Sequence, residues 1–348
     1  MGWGLFLFGG KEMTFAPQQV FIEKKALEYE LGRSLLSTFR QNNIETIIYD
    51  RRLPSADPNL PARDRFMRFK RTLVVGIWKQ KEFQTCKPSA HYQLPLVSGC
   101  PGLCQYCYLA TNLSKRPYIK AYVNIEDILA RAREYIKMRN PEETIFEASA
   151  TSDPLAVEKW TGSLKTAIEF TAQSSLARLR FVTKFADIET LLGLDHREKT
   201  EVRFSINAPW AVGRFEQGVP VVRKRLEAAA RIQKEGYPVG ILIAPIFIFP
   251  DWQKQYDLLI KDVAELMPDA PVTFELITHR FTARAKSAIR EVFPESELPM
   301  VEEERQLKYG QFGYTKFVYP RHQMEELESF FRGRISTLMP KAKILYFV

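Results

Sequence analysis

The chain has 348 residues and a formal net charge of +9. This length can bury one large α/β core or two ordinary ones. The basic balance fits two interpretations equally: a polyanionic partner, nucleic acid before an acidic membrane surface, or a merely basic cytosolic protein. Three of the four cysteines are clustered, which excludes the disulfide framework of a small secreted protein and indicates a reducing compartment, and no apolar window is long enough for a transmembrane helix.

The N-terminal part of the chain has mixed patterns. A short apolar patch within residues 1–13 predicts a poorly ordered leader or an expression remnant. Hydrophobic periodicity then predicts strands over residues 20–22, 45–49 and 72–77 and a helix over residues 32–41. Cations interleaved with phenylalanines occupy residues 51–71, a composition typical of a phosphate-contacting surface, although prolines favour a solvated linker over residues 50–64.

Residues 96–109 form the most informative stretch of the chain. They contain Cys100, Cys104 and Cys107 with the spacing C-x3-C-x2-C. A proline and a glycine between the first two cysteines force a tight loop that can point three sulfur atoms at one place. Structural zinc sites usually close with two separated pairs of ligands, whereas a [4Fe-4S] cluster held by three cysteines keeps one iron open. An open iron implies that a small ligand binds there.

Beyond this loop, strands alternate with helices. Strands are predicted over residues 144–148, 179–183, 202–207, 239–244 and 272–276, and helices over residues 125–138, 164–174, 187–192, 221–234 and 252–266. Asn124 is expected to cap the first of these helices. Near-continuous apolar strands joined by helices indicate a parallel sheet covered on its outer face, which makes either a doubly wound sheet or a full or partial (β/α) barrel.

Polar residues follow these strands at their C-terminal ends: Ser149, Thr151, Ser152, Asp153, Lys184, Ser205, Asn207, Thr278, His279 and Arg280. Both candidate folds bring such groups to one mouth, where active sites lie. The alternative is that the small polar residues only form turns and helix caps. Lys184 is harder to explain in that way, because it directly follows a strand predicted to be buried.

The cysteine loop, with an aromatic residue next to its last cysteine, resembles the cluster motif of radical S-adenosylmethionine enzymes, whose fold is a partial (β/α)6 barrel. Other segments narrow the resemblance to the spore photoproduct lyase family, over about residues 15–348. These segments include Lys87-Pro88-Ser89-Ala90, Phe146-Glu147-Ala148-Ser149, Arg180-Phe181-Val182-Thr183-Lys184-Phe185, Phe204-Ser205-Ile206-Asn207, Ala244-Pro245-Ile246 and Phe274-Glu275-Leu276-Ile277.

The resemblance implies an α/β fold with a partial (β/α)6 barrel over residues 89–285, an N-terminal region over residues 14–88 that packs on it, and a C-terminal DNA-binding extension over residues 286–348. It implies a DNA repair lyase that reverses the spore photoproduct, 5-thyminyl-5,6-dihydrothymine, to two thymines through a 5′-deoxyadenosyl radical. The implied partners are damaged DNA and a reductant such as flavodoxin or ferredoxin. A cytoplasmic monomer of the spore core or germinating spore, with no membrane partner, is expected.

The resemblance also implies the site residues. Cys100, Cys104 and Cys107 hold the [4Fe-4S] cluster, whose fourth iron is chelated by S-adenosylmethionine. The S-adenosylmethionine pocket is formed by Tyr106, Ser152, Lys184, Ser205 and Ala244. Tyr106 and Tyr108 relay or guard the radical, with simple packing on the loop as the alternative.

Two departures from the family pattern stand out. Ala150 occupies the position of the family's hydrogen-donating cysteine, so this chain is a Cys-to-Ala variant, engineered or natural, with impaired turnover expected. Cys86 is a substitute donor, a fourth ligand or an incidental residue. The Gly-Gly-Glu segment of many radical S-adenosylmethionine enzymes is absent, and residues 149–153 stand in the comparable place.

Contacts with the lesion are predicted in two places. His279 and Arg280 follow the last predicted barrel strand and are expected to face a two-base lesion that has left the duplex. Tyr314 and Lys316 belong to a C-terminal stretch of mixed cations and aromatics, typical of a surface for phosphates and unstacked bases. The alternative for that stretch is an edge strand with aromatic packing.

Two other functions remain open from the sequence. One is a different radical S-adenosylmethionine enzyme, such as a methylase or a glycyl-radical activase, which keeps the cluster but has no preference for ultraviolet-damaged DNA. The other is a zinc-stabilised nucleic-acid-binding protein, which would explain the charge and the cysteines without iron.

Overall fold

The computed structural model describes residues 15–53, 59–109, 116–268, 270–309 and 315–348. The predicted leader, residues 1–13, lies outside these ranges. The strands are β1 Gln19–Glu23, β2 Glu45–Tyr49, β3 Thr72–Gly76, β4 Thr85–Cys86, β5 Ala90–Leu94, β6 Val97–Ser98, β7 Ile119–Tyr122, β8 Thr144–Ala148, β9 Ala177–Thr183, β10 Thr200–Ile206, β11 Val239–Ile246, β12 Thr273–Thr278, β13 Gln306–Tyr309, β14 Thr315–Val318 and β15 Lys343–Phe347.

The helices are α1 Glu30–Gln41, α2 Ala62–Lys70, α3 Ile125–Arg139, α4 Leu155–Thr161, α5 Ser163–Ala172, α6 Pro209–Phe215, α7 Val222–Lys234, α8 Trp252–Leu266, α9 Ala283–Val292 and α10 Arg321–Leu338. Short 3-10 turns cover Lys24–Glu28 and Glu189–Leu191. No helix in the described ranges is both long and apolar enough to cross a membrane.

Two larger sheets organise these elements. The N-terminal sheet has the order β2-β1-β3-β7-β6, and the barrel sheet has the order β15-β12-β11-β10-β9-β8-β5-β4. From β5 through β8 to β12 the barrel strands are all parallel to their neighbours. Helices connect the strands from β8 onward, except that β9 and β10 are joined through a 3-10 turn. This arrangement confirms the partial (β/α)6 barrel. The cysteine loop leaves β6 and returns to β7, both in the N-terminal sheet, and its start is bridged to the barrel segment after β8 by Gly99 and Ser152.

The barrel sheet is strongly curled, because a buried ionic network joins strands that are not neighbours in the sheet. Arg180 on β9 donates to Glu275 on β12 at 2.5 Å, although these strands are three positions apart in the sheet. In a flat sheet that separation would be about 14 Å. Arg203 on β10 completes the network by pairing with Glu147 on β8 and, at 2.9 Å, with Glu275. These side chains alternate with apolar neighbours that face the helices, so the concave side carries the charges.

The predicted strands of the barrel and the N-terminal sheet are present, with ends that shift by up to two residues. Five helices were not predicted: α2, α4, α6, α9 and α10. The helix predicted over residues 187–192 is wrong, because only the 3-10 turn Glu189–Leu191 forms there. Helix α2 falls on the basic run, where Phe66, Phe69 and Lys70 are buried. The expected cap at Asn124 is wrong, because its side chain accepts from Trp78 N at 2.8 Å and makes no capping bond to α3. The division of the chain at residues 88 and 285 into an N-terminal region, a barrel and a C-terminal extension stays a prediction.

We expect the ionic network to be necessary for stability. Arg203 is 2% exposed, and Arg203→Met would leave two buried carboxylates with fewer partners, which costs about 3–5 kcal/mol of the free energy of unfolding. Urea unfolding at pH 7 measures this loss. Arg332→Gln is the matched control, since its pair with Glu328 is exposed and is worth less than about 1 kcal/mol. Equal effects of the two substitutions would contradict a stabilising role of the network.

Candidate active site

The cysteine loop folds so that its first two thiols converge. Cys104 is buried, and Cys100 and Cys107 are half-buried. A Cβ atom added to Gly102 would lie 3.4 Å from Cys100 Sγ and 3.9 Å from Cys104 Sγ, and only 2.9 Å from Val219 Cγ1. The absent side chain of Gly102 therefore leaves room for these two sulfur atoms on one side of the loop.

Backbone hydrogen bonds hold the loop from two sides. Leu103 N donates to Gln217 O at 2.8 Å and Gln105 N donates to Phe215 O at 2.9 Å, which ties the loop to the segment after α6. At the start of the loop, Gly99 N donates to Thr151 O at 3.0 Å. The loop is thus fixed by the chain that follows β8 and by the chain that follows α6.

The thiols have the chemistry of an iron–sulfur ligand set. Burial raises the pKa of Cys104 to about 12 and also raises the pKa of Cys100, so both stay protonated until a cation displaces the proton. In the described part of the chain, no three His, Cys, Asp or Glu side chains converge on a single-ion site. Three thiols on one loop, with room beside Gly102, fit a [4Fe-4S] cluster with three protein ligands.

A buried carboxylate next to this loop joins two of the predicted pocket residues. Glu216 accepts from the Tyr106 hydroxyl and from Lys184 Nζ at 2.8 Å, and Lys184 Nζ also lies 5.6 Å from the centroid of the Tyr106 ring. On its other oxygen Glu216 pairs with Arg225 Nη2 at 2.6 Å. Although burial opposes ionisation, Lys184 and Arg225 hold the pKa of Glu216 at about 2. Glu216 is therefore an anion with two cationic partners.

Arg225 extends this connection to the strand ends. It is fully buried and donates through Nη1 to Ser205 O at 3.0 Å and through Nε to Pro220 O at 2.7 Å. Ser205, predicted to line the pocket, is thereby fixed at the end of β10. Ala244 lies within a register shift of β11 against β12, between Ile243 and Ile246.

The segment after β8 packs against the start of the cysteine loop. Ser152 Oγ donates to Gly99 O, and Asp153 accepts from Thr183 Oγ1 and from Lys184 N, both at 2.7 Å. Burial raises the pKa of Asp153 to about 6 despite these donors. The structure thus brings Ser152, Lys184 and the cysteine loop together, as the sequence predicts, through Asp153, another of the predicted strand-end residues.

Ala150 and Tyr108 are in contact. Tyr108 Oη donates to Ala150 O at 2.8 Å, while the Tyr108 side chain remains 55% exposed. Burial of its hydroxyl end raises the pKa of Tyr108, and Cys107, Cys86 and Glu147 lie close enough to raise it further. Cys86, on edge strand β4, is therefore within electrostatic range of Tyr108.

The two residues after β12 that were predicted to contact the lesion differ in their exposure. Arg280 is exposed, whereas His279 is 3% exposed and lies behind Arg305, which donates to His279 O at 2.9 Å. Burial, with Arg305, lowers the pKa of His279 to about 3. Arg305 stacks 3.7 Å from the Tyr319 ring centroid, and both line a cavity of about 590 Å³.

Strands β13 and β14 form a hairpin beside the end of β12. Phe317 on β14 exchanges two backbone hydrogen bonds with Phe281, and their rings stack at 5.1 Å. Lys316 lies opposite Lys308 in this hairpin, and Tyr309 is 80% exposed. Tyr314 lies outside the described residues. The predicted cationic and aromatic stretch is thus an antiparallel hairpin anchored next to His279.

Sequence reasoning missed Glu216, Arg225 and Arg305, and it placed Lys70 in a phosphate-contacting surface, whereas Lys70 is buried. Glu216 and Arg225 lie in and beside helices, where a charged residue usually faces solvent, so no periodic signal distinguishes them. A buried arginine becomes recognisable only when the fold brings its partners together.

We expect Glu216 to stabilise the protein in a pH-dependent manner. Its pKa is about 2 in the folded chain against an ordinary value of 4.5, so the unfolded chain binds the proton more readily. The stabilisation is present above about pH 4.5 and is lost as the pH falls toward 2. In urea unfolding, Glu216→Gln should cost about 3 kcal/mol at pH 7 and less at pH 3.

Glu227→Gln on the exposed face of α7 serves as the matched control, with a small effect at every pH. A difference between wild type and Glu216→Gln that stays constant from pH 7 to pH 3 would show that Glu216 is not an anion in the folded chain.

The geometry agrees with comparisons to known proteins. The family model described as spore photoproduct lyase matches residues 15–348. Spore photoproduct lyase of Clostridium acetobutylicum is 44% identical over 331 residues, covering 95% of this chain and 98% of the relative. The Bacillus subtilis protein of the same name is 42% identical over 339 residues, covering 96% of this chain and 98% of the relative.

Solved structures agree as well. A spore photoproduct lyase complexed with dinucleoside spore photoproduct has a TM-score of 0.93 at 40% identity and covers 96% of this chain and 99% of its own. A double mutant with bound AdoMet and dinucleoside spore photoproduct has a TM-score of 0.91, also at 40% identity and with the same coverage. Together with the model that matches residues 15–348, these likenesses show that the chain belongs to the spore photoproduct lyase family.

Proposed function

We propose that this chain repairs DNA by reversing the spore photoproduct to two thymines through radical chemistry. The observation that carries the proposal is the three-cysteine loop braced against Lys184 and Ser152 at the C-terminal ends of the barrel strands. Relatives of about 40% identity with the same fold bind the dinucleoside lesion, and one also binds AdoMet.

Cys100, Cys104 and Cys107 would hold a [4Fe-4S] cluster and leave one iron for S-adenosylmethionine. When bound and reduced, this pair supplies a 5′-deoxyadenosyl radical that can take a hydrogen atom from the lesion. Lys184 is the cation available for a carboxylate of the cofactor, since Glu216 fixes its ammonium beside Tyr106.

Three further residues complete the proposed S-adenosylmethionine pocket. Ser152 and Ser205 lie at strand ends that converge on the loop, and the backbone of Ala244 lies at the shifted register of β11. Backbone and hydroxyl groups of this kind fix the orientation of a ligand without adding charge.

Damaged DNA is the proposed macromolecular partner. The hairpin of β13 and β14 carries Lys308 and Lys316 next to the exposed Tyr309, and Arg280 is exposed at the end of β12. Cations contact phosphates and aromatic rings stack on unpaired bases. We further propose that the chain acts as a cytoplasmic monomer in the spore core or germinating spore and receives electrons from a flavodoxin or ferredoxin.

The final hydrogen atom needs a donor, because the methyl group of Ala150 does not release one readily. Cys86 is the remaining cysteine outside the loop, and it is within electrostatic range of Tyr108. Burial, reinforced by Glu147, raises the pKa of Cys86 to about 11, so at neutral pH it keeps the S–H bond that a hydrogen-atom donor requires.

A solved relative supports this role. The double mutant with bound AdoMet has one cysteine replaced by alanine and one serine replaced by cysteine, and these two positions have the same spacing along its chain as Ala150 and Cys86 have here. In the proposed step the Cys86 S–H bond breaks, a C–H bond forms on the thymine radical, and the unpaired electron stays on sulfur. Tyr108 then returns a hydrogen atom to the sulfur and carries the radical onward.

Reconstitution of the protein with iron and sulfide tests the proposed repair reaction. Anaerobically reconstituted and reduced protein should bind about four irons per chain and, with S-adenosylmethionine and the dinucleoside lesion, form 5′-deoxyadenosine and the repaired dinucleoside with two thymines. Cys104→Ala should remove both products. Undamaged dithymidine is the control substrate and should be recovered unchanged.

Each alternative function has its own result in this experiment. Colourless protein with bound zinc would favour the zinc-stabilised DNA-binding protein. Iron-loaded protein that cleaves S-adenosylmethionine without repairing the lesion would favour a different radical enzyme.

Substitutions of Cys86 and Ala150 test the proposed hydrogen-atom donor. Cys86→Ala should lower the yield of thymine at least tenfold and increase off-pathway products, while Cys86→Ala combined with Ala150→Cys should recover most of the yield. Ala150→Cys alone should change little. The measurement is the ratio of thymine to off-pathway products from wild type and the three variants, with the same lesion as substrate. If turnover is instead impaired by Ala150, Cys86→Ala would have no effect and Ala150→Cys alone would raise the yield.

A further inference from the structure

A buried lysine from the N-terminal region reaches the cysteine loop. Lys70 is the last residue of α2 and is only 4% exposed. Its Nζ donates to the backbone oxygen of Cys100 at 2.7 Å and lies 5.3 Å from the centroid of the Phe66 ring. The ammonium group is therefore directed at the first proposed cluster ligand.

Within the described ranges, Lys70 forms no ion pair; its contacts there are this carbonyl and the phenylalanine ring. The carboxylate that also faces Cys100 is Asp153, and its oxygens already accept from Thr183 Oγ1 and Lys184 N. On the opposite side of the loop, Lys184 and Arg225 share the anion of Glu216. Lys70 thus differs from these cations, because no described carboxylate balances it.

A buried ammonium is a costly way to tether a loop, since a neutral donor could make the same bond to a carbonyl without desolvating a charge. The charge becomes useful when a more negative group forms next to it. A [4Fe-4S] cluster gains one negative charge on reduction, and nearby positive charge stabilises the reduced form.

We propose that Lys70 raises the reduction potential of the cluster and so lets the N-terminal region control the electron-transfer step. This inference rests on the proposed function, because it requires the cluster at Cys100, Cys104 and Cys107. Lys70 acts through its charge on the ligand loop and is a positioning and tuning residue, without contact with the lesion.

The test is a redox titration of the reconstituted full-length protein, followed by the electron paramagnetic resonance signal of the reduced cluster, without S-adenosylmethionine or DNA. Lys70→Met should lower the ratio of reduced to oxidised cluster at least tenfold at a fixed potential, a shift of about 59 mV to more negative potential for one electron. Lys70→Arg, which keeps the charge, should retain most of the wild-type value.

Arg71→Met is the matched control, because Arg71 is the next residue and its side chain is exposed; its potential should equal that of wild type. If methionine at position 70 prevents iron binding, Lys70→Gln is titrated in its place, since its amide keeps a donor without the charge. An unchanged potential in the neutral variant, or an equal shift in Lys70→Arg, would overturn the proposal. Either outcome leaves lesion repair by the wild-type chain untouched, so it is distinct from a failure of the proposed function.

Discussion

The carboxylate of Glu216 is the interaction on which the arrangement of the site depends. Its three partners, Tyr106, Lys184 and Arg225, come from the cysteine loop, the end of β9 and helix α7. An unpaired carboxylate in this position would be strongly unfavourable, so the loop, the strand end and the helix are stable only together. The site is consequently ordered before any cofactor arrives, and Lys184 is held where an anionic group of a ligand can approach it.

A second charged layer lies on the concave side of the barrel. Arg203 joins Glu147 and Glu275, and Arg180 adds a further bond to Glu275. Long side chains with matched charges can span the interior of a curled six-stranded sheet where branched apolar residues would leave gaps. Because Glu147 also lies near Cys86 and Tyr108, this layer forms the electrostatic surroundings in which the proposed hydrogen donor keeps its proton.

Sequence patterns predicted the architecture better than the site. Strand β8 and helix α8 were placed with their observed ends, because alternation and apolar periodicity are local properties. The cysteine spacing and the polar strand ends indicated where chemistry occurs. The basic run was misread at Lys70, which faces inward on α2 together with Phe66, because composition cannot tell a cation that binds phosphate from one that points at a buried carbonyl. Glu216 and Arg225 were missed because composition does not show which residues the fold brings next to them.

The two tyrosines that flank Cys107 have similar sequence positions but different physical situations. The Tyr106 hydroxyl donates to a buried, ionised carboxylate, a charge-assisted bond about twice as strong as a neutral one. The Tyr108 hydroxyl donates to the carbonyl of Ala150, and its side chain is 55% exposed. A relay must release its bond and turn its hydrogen toward a new partner, which costs only about 1 kcal/mol for a neutral bond. These differences support the proposal that Tyr108 is the relay and that Tyr106 is a fixed wall of the pocket.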